Sequence, residues 1–262
     1  MKVMMLGDIV GEPGLLVLEK RLPALIKKFT VDFTVINGEN ACSGFGLTAE
    51  TLDRILAAGA DAVTGGNHIW EKRDFWPVLD SDKPVLRPAN YPAAPGRGLL
   101  QLNKNGFSVF IINLQGRELL SPIDCPFKTF DILEETIKKQ TKDIQPIILV
   151  DFHAESIEEK EALAYYLDGR VSIIAGTHTH VQTADERILP KAAAYISDLG
   201  MTGAMNGIIG MDTDICKNRA FSQVAYRMEC AVPLNEEDSA IQGIIAELDD
   251  RGRAVNIQRI KA

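Results

Sequence analysis

The chain has four histidines, His68, His153, His178 and His180, and each follows directly on a short apolar run beside Gly, Asn or Asp. Other polar residues hold the same kind of position: Asp8 after Lys2–Leu6, and Glu39 with Asn40 after Val31–Ile36. In open α/β sheets, ligand sites gather at the carboxyl ends of parallel strands. Asp8, Glu39, Asn40, Asn67, His68, His153, His178 and His180 are therefore expected in one cleft. His178 and His180 are two apart. In an extended segment they would face one side, whereas on a helix they would diverge by about 200°. Imidazole suits Fe, Mn and Zn, and carboxylate or amide oxygens suit the harder end of that group. This donor set is too large for one tetrahedral zinc and fits two metals sharing a carboxylate. Each residue also has a plainer explanation. A lone His at a strand end is commonly just a satisfied polar group. Asp8 could cap a helix opening near Pro13, and Asn40 and Asn67 could be turn residues. Concentration favours the metal reading, because no His is used anywhere else in the chain.

The elements that must position these residues alternate. Lys2–Leu6, Val31–Ile36 and Asp61–Thr64 read as strands, with a helix opening near Pro13 and another capped by Thr48 between them. Such β-α-β-α-β alternation argues for a mostly parallel sheet covered by helices. Further along, Phe107–Leu114, Ile147–Val150 and Val171–Ala175 read as strands. Phe127–Lys142 and a segment capped by Ser156 and running to about Asp168 read as helices. The Pro-rich stretch 80–98 reads as a looped connection, and the Gly/Met-rich stretch Asp198–Asp212 as either a pocket lid or a packed surface loop. Strand-like runs close the chain at Ser222–Pro233 and Ala240–Leu248. There is no repeat or linker, so one α/β domain over 1–262 is expected.

Composition limits the function classes. The 262 residues are 46% hydrophobic and 24% charged, which is ordinary for a globular chain and excludes disorder as the main state. No apolar stretch of about 18 residues is present, so no membrane span is expected. A formal charge of −8 disfavours extended nucleic-acid binding but leaves room for one small phosphate ester. The opening Met1–Gly14 has an apolar run broken by Gly7 and Asp8, unlike a secretory signal. With Cys42, Cys125, Cys216 and Cys230 forming no C-x-x-C pair, reduced thiols in a cytoplasm are expected. A homo-oligomer is left open.

In order, Gly7-Asp8, Gly38-Glu39-Asn40, Gly66-Asn67-His68, Asp151-Phe152-His153 and Gly176-Thr177-His178-Thr179-His180 resemble the calcineurin-like metallophosphoesterase superfamily. The sequence departs from its usual pattern at Val10, which replaces a ligand His, at Glu39, which replaces the bridging Asp, and at Ile69, where an acid is usual. One bacterial branch, the YmdB-like phosphodiesterases, shares those departures. The stretches GDIVGEPG from Gly7, NGENA from Asn37, GGNHIW from Gly65, RPANYP from Arg87, DFHAE from Asp151, GTHTHVQTAD from Gly176 and SDLGMTG from Ser197 also resemble it. After Met211 the resemblance thins, with Ala225 where Pro is expected.

The resemblance implies a four-layer α/β/β/α sandwich holding two Fe or Mn ions. Asp8, Glu39, Asn40 and His180 would hold one. Glu39, Asn67, His153 and His178 would hold the other, with Glu39 as the bridge and Asn40 replacing the missing histidine. A hydroxide shared by the metals would be the nucleophile, and His68 would stay free as the proton donor. The implied substrates are 2′,3′-cyclic nucleotides, opened to 3′-phosphates. Asp151 and Glu155 could orient His153 or serve as surface or capping residues. Trp70, Trp76 and Tyr91 could stack a base or simply pack. Two rivals remain: another metal hydrolase, such as a phosphomonoesterase or an amidohydrolase, and a metal-containing protein that only binds nucleotides or RNA fragments.

Overall fold

The computed structural model describes residues 1–141 and 146–262. In chain order the elements are β1 (Lys2–Leu6), β2 (Asp8–Ile9), α1 (Gly11–Phe29), β3 (Phe33–Asn37), α2 (Ala49–Ala57), β4 (Ala62–Thr64), α3 (Trp76–Leu79), β5 (Leu99–Lys104), β6 (Phe107–Gln115), α4 (Pro126–Thr141) and β7 (Ile147–His153). They continue with α5 (Ile157–Leu167), β8 (Ile173–Thr177), β9 (Arg187–Ile188), β10 (Ala194–Ile196), β11 (Met201–Ala204), α6 (Thr213–Ser222), β12 (Ser239–Leu248) and β13 (Ala254–Lys261). The expected end of the fourth helix at Lys142 lies outside the described residues.

The strands form two sheets, β2-β11-β12-β1-β3-β4 with β13 on β12, and β5-β6-β7-β8-β10-β9. Their period-2 alternation assigns each side chain to a layer. In β1, Met4 and Leu6 face outward and meet Leu18, Leu22 and Ile55 of α1 and α2. Val3 and Met5 face inward with Phe33 and Val35, and meet Val109, Ile111 and Leu149 of the second sheet. Phe110, Ile112 and Val150 face the far side and meet Phe130, Leu163 and Leu167 of α4 and α5. The result is helix, sheet, sheet, helix, as expected, rather than the barrel an amidohydrolase would need. Each fully buried Leu, Ile, Val or Phe here contributes about 1.5–3 kcal/mol.

Local capping agrees with the sequence. Thr48 accepts from the Thr51 amide at the start of α2, and Ser156 from the Glu159 amide at the start of α5. Asp8 does not cap α1, whose N-cap is Val10 with no side-chain hydrogen bond. Other expectations need correction. Ser222–Pro233 is not a strand: α6 ends at Ser222, and the chain then runs without regular structure and largely exposed, touching Met211 through a bridge at Cys230. Apolar residues there find no sheet edge to pair with. Within Asp198–Asp212, Met201–Ala204 is no lid but a buried strand between β2 and β12. Among the described residues no helix is long and apolar enough to cross a membrane.

Candidate metal centre

The strands of both sheets that run parallel end at one place. Asp8 opens β2 just past the end of β1, Glu39 and Asn40 follow β3, and Asn67 and His68 follow β4. From the second sheet, His153 is the last residue of β7, and His178 and His180 follow β8. The first sheet's loops come in close at Gly66, where an added Cβ would lie 2.3 Å from the His153 ring and 2.4 Å from Glu39 Oε2. Only a glycine allows that approach.

The H-x-H pair reaches the site differently from the extended geometry expected. β8 stops at Thr177, and His178 and His180 have φ of 101° and 63°. Positive φ at residues other than glycine costs of order 1–3 kcal/mol each and persists only where the surroundings hold it. Here the holders are two buried carboxylates. Asp8 Oδ2 accepts from the His178 amide at 3.2 Å, and Asp198 Oδ2 from the Thr179 amide at 3.1 Å. Asp198 also accepts from the Gly200 amide at 2.8 Å and pairs with buried Lys160 at 2.8 Å.

Around His153 Nε2, three acceptors converge: Glu39 Oε1 at 3.0 Å, Asn67 Oδ1 at 3.1 Å and His178 Nδ1 at 3.0 Å. A second group lies beside it. Asn40 Nδ2 is 3.1 Å from His180 Nε2 and 3.5 Å from Glu39 Oε1, and Asp8 Oδ1 is 4.0 Å from His180 Nε2. Asp8, Glu39 and His153 are fully buried, and Asn40 and His180 nearly so. Val10 sits in an apolar cluster with Met201 and Met211, and the side chain beside His180 Nε2 is that of Asn40.

Electrostatics bind the group together. Burial pushes the Asp8 carboxyl up, against the pull of His180 and His153. Burial also opposes charge on Glu39, but neighbouring His153 holds it down at about 2. His153 is held up at about 9, because Glu39 and Asp8 overcome the burial that disfavours its charge. Burial and the adjacent His153 charge push His178 down to about 3. Burial raises Asp151 to about 6.

These residues fit divalent cations. One proton on His153 Nε2 can satisfy only one of its three neighbours, whereas a cation can meet all of them. Asp8 Oδ1 and Asn40 Oδ1 are buried with no hydrogen-bond partner, a costly condition that a cation removes. The outer ring nitrogens are already engaged. His178 Nε2 is 3.2 Å from Glu155 Oε2, and His180 Nδ1 is 2.9 Å from the Ile209 carbonyl. Each ring thus turns its other nitrogen inward, as metal-ligating histidines do. Glu39, His153 and His178 alone bring ligand atoms within 4.8 Å of one another.

His68 differs from the rest. Its amide donates to Glu39 Oε2 at 2.9 Å, its ring is partly exposed, Nδ1 faces Glu71 Oε1 at 3.2 Å, and Phe45 packs edge-on at 4.9 Å. Glu71 thus faces the ring although Ile69 leaves the usual acid position empty. No motif pointed to it; the cue was its place three residues on, within reach of His68. Glu155 partners His178 rather than His153, and Asp151 reaches His153 only through Thr177. Trp70 and Tyr91 pack on each other at 4.5 Å.

A family profile described as "YmdB-like protein" matches residues 4–260. The chain is 44% identical to a Bacillus subtilis (strain 168) protein described as 2′,3′-cyclic-nucleotide 2′-phosphodiesterase, over 99% of this chain and 96% of that one. A crystal structure of a hypothetical protein from Thermus thermophilus superposes with a TM-score of 0.91 at 35% identity, covering 100% and 99% of the two chains. A phosphatase structure from Mycoplasma pneumoniae gives a TM-score of 0.89 at 31% identity, covering 100% and 93%.

Proposed function

The chain belongs to the YmdB-like family, and from that premise we propose that it is a metal-dependent phosphodiesterase opening 2′,3′-cyclic nucleotides to 3′-phosphates. The observation that carries the metal part is the convergence of Glu39, Asn67 and His178 on His153 Nε2 at 3.0–3.1 Å, beside the unpartnered buried oxygens of Asp8 and Asn40. The substrate class is supported by the name of the Bacillus subtilis relative. Asp8, Glu39, Asn40 and His180 would hold one ion, and Glu39, Asn67, His153 and His178 the other, with iron or manganese matching the mixed oxygen and imidazole donors. When bound, such a pair of divalent ions polarises phosphate oxygens and makes solvent nucleophilic at neutral pH.

The chain's own residues do the rest. Water adds across the P–O2′ bond: its oxygen joins phosphorus, and O2′ leaves as a hydroxyl. His68 supplies the proton to O2′ and is reprotonated through solvent by the proton the attacking water gives up, and Glu71 at 3.2 Å orients its ring from the other nitrogen. Glu39 and His153 are fully buried, so bulk water is kept from behind these two side chains. The whole chain 1–262 acts as one catalytic domain.

The test is the product isomer. A 2′,3′-cyclic mononucleotide incubated with the purified, metal-supplemented chain should give the 3′-phosphate, resolved by phosphorus NMR. Accumulation of the 2′-phosphate, or tight binding of the nucleotide without turnover, contradicts the proposal.

A further inference from the structure

Behind His153 lies a fully buried polar chain that the reaction itself does not use. Thr177, at the end of β8, has its Oγ1 2.7 Å from Asp151 Oδ1 and 3.0 Å from His153 Nδ1. Asp151 is also reached from the other sheet. Asn37 Nδ2 of β3 donates to Asp151 Oδ2 at 3.0 Å, and the Thr64 hydroxyl of β4 donates to the same oxygen. All five side chains are at most 1% exposed.

The directions of these bonds follow from what each group can do. An ionised carboxylate only accepts, and a hydroxyl has a single hydrogen to give. With Asp151 accepting, the Thr177 hydrogen points to Oδ1, and the Thr177 oxygen is left to accept. The ring hydrogen it accepts is on His153 Nδ1. The next acceptor for that nitrogen, Asp8 Oδ1, is 3.9 Å away, too far for a hydrogen bond. A hydrogen fixed on Nδ1 leaves the Nε2 lone pair for a cation, among Glu39, Asn67 and His178.

We infer that Asp151 and Thr177 form a positioning relay, in which the Thr177 hydroxyl locks His153 in the Nδ1–H form and Asp151 ties that hydroxyl to the strands carrying the first sheet's ligands. The relay spans both sheets. Asn37 precedes Gly38-Glu39 on β3, and Thr64 precedes Gly65-Gly66-Asn67 on β4. Asp151 thereby sets the register between Glu39 and Asn67 on one side and His153 on the other. Asp151 and Thr177 are both buried behind His153 and reach the site through its ring, so both act through His153. This inference rests on the metal reading above.

The experiment compares the wild type, Thr177→Val, Thr177→Ser and Asp151→Asn. Valine keeps the shape of threonine and removes the hydroxyl, and serine restores it. Dissociation constants for zinc and manganese are measured by competition with a chelating dye, and folding is checked by thermal melting. Exchange protection of the His153 Nδ1 proton is read by nitrogen-15 NMR, with and without zinc. Thr177→Val should weaken metal binding about 10–100-fold and lose the protected Nδ1 proton. Thr177→Ser should return both to wild-type values, and Asp151→Asn should fall between.

Wild-type affinity with a protected Nδ1 proton in Thr177→Val overturns the relay. A wild-type chain that takes up no metal overturns the metal reading instead. In that case the Nδ1 proton of the metal-free wild type still decides the relay, since its rapid exchange is incompatible with the Thr177 bond. Should Thr177→Val fail to fold, Thr177→Ser and that wild-type proton carry the same decision.

Discussion

Lys160→Met tests how the H-x-H turn is held. Lys160 of α5 and Asp198 are 1% and 2% exposed, with Nζ 2.8 Å from Oδ2. At that distance and an effective dielectric constant of about 20, the attraction is about 6 kcal/mol, offset by the cost of taking both charges out of water. Methionine fills similar space without the charge. Asp198 is then left with the Thr179 and Gly200 amides and no counter-ion. Breaking a buried pair from one side costs about 3–5 kcal/mol, which for a chain of this size lowers the melting temperature by roughly 6–20 °C. The carboxylate also restrains Thr179 between two residues at positive φ, so cation affinity should fall with stability. The assay is thermal and urea denaturation of Lys160→Met, Asp198→Asn and the double variant. The double variant should be more stable than Lys160→Met, because the stranded charge is gone. A loss below about 1 kcal/mol, the range of solvated surface pairs, or a double variant no better than the single, would refute this reasoning.

Further outcomes are open to equally direct measurement. His68→Ala should retain wild-type metal content by elemental analysis while slowing hydrolysis about 10²–10⁴-fold, most for alkyl leaving groups and least for aryl ones; loss of metal would remove its role as proton donor. The acid limb of stability should depend on Arg170, whose hydrogen bonds to Glu134 and Asp131 hold both carboxyls below their ordinary values of 4.5 and 3.8. A carboxyl lowered by folding contributes stability above its unfolded value and loses it as pH falls through the folded one. Arg170→Met should therefore cost about 1 kcal/mol near neutrality and show a shallower decline below about pH 4.5, read from urea midpoints across pH; parallel curves would contradict this.

The grouping of the candidate residues in one place was legible in the sequence because each follows an apolar run that reads as a buried strand, as at Val31–Ile36 before Glu39 and Ile147–Val150 before His153. Layer assignment was legible for the same reason, through the alternation in Lys2–Leu6 and Phe107–Leu114. Thr177, Asn37 and Thr64 were not, because a hydroxyl or amide inside a strand looks the same whether it caps a backbone group or orients a metal ligand. The left-handed turn at His178 and His180 was hidden too, since histidine gives no local signal of positive φ, and the anchoring Asp198 lies eighteen residues beyond His180. β11 was masked by a Gly- and Met-rich composition that reads as loop. The false strand at Ser222–Pro233 arose from apolar residues that are exposed for want of a partner edge, among them Phe221 just before it and Val224 and Val232 within it.

The central claim is that side chains from two sheets meet to hold a pair of cations on which hydrolysis depends. Its most direct test is elemental analysis of the purified chain, paired with activity on a 2′,3′-cyclic mononucleotide before and after chelation and reloading. The expected result is about two metal ions per chain, no turnover in the stripped protein, and recovery with manganese or iron. Full activity in a chain free of metal, or a stripped chain that rebinds two ions and stays inert, would contradict it.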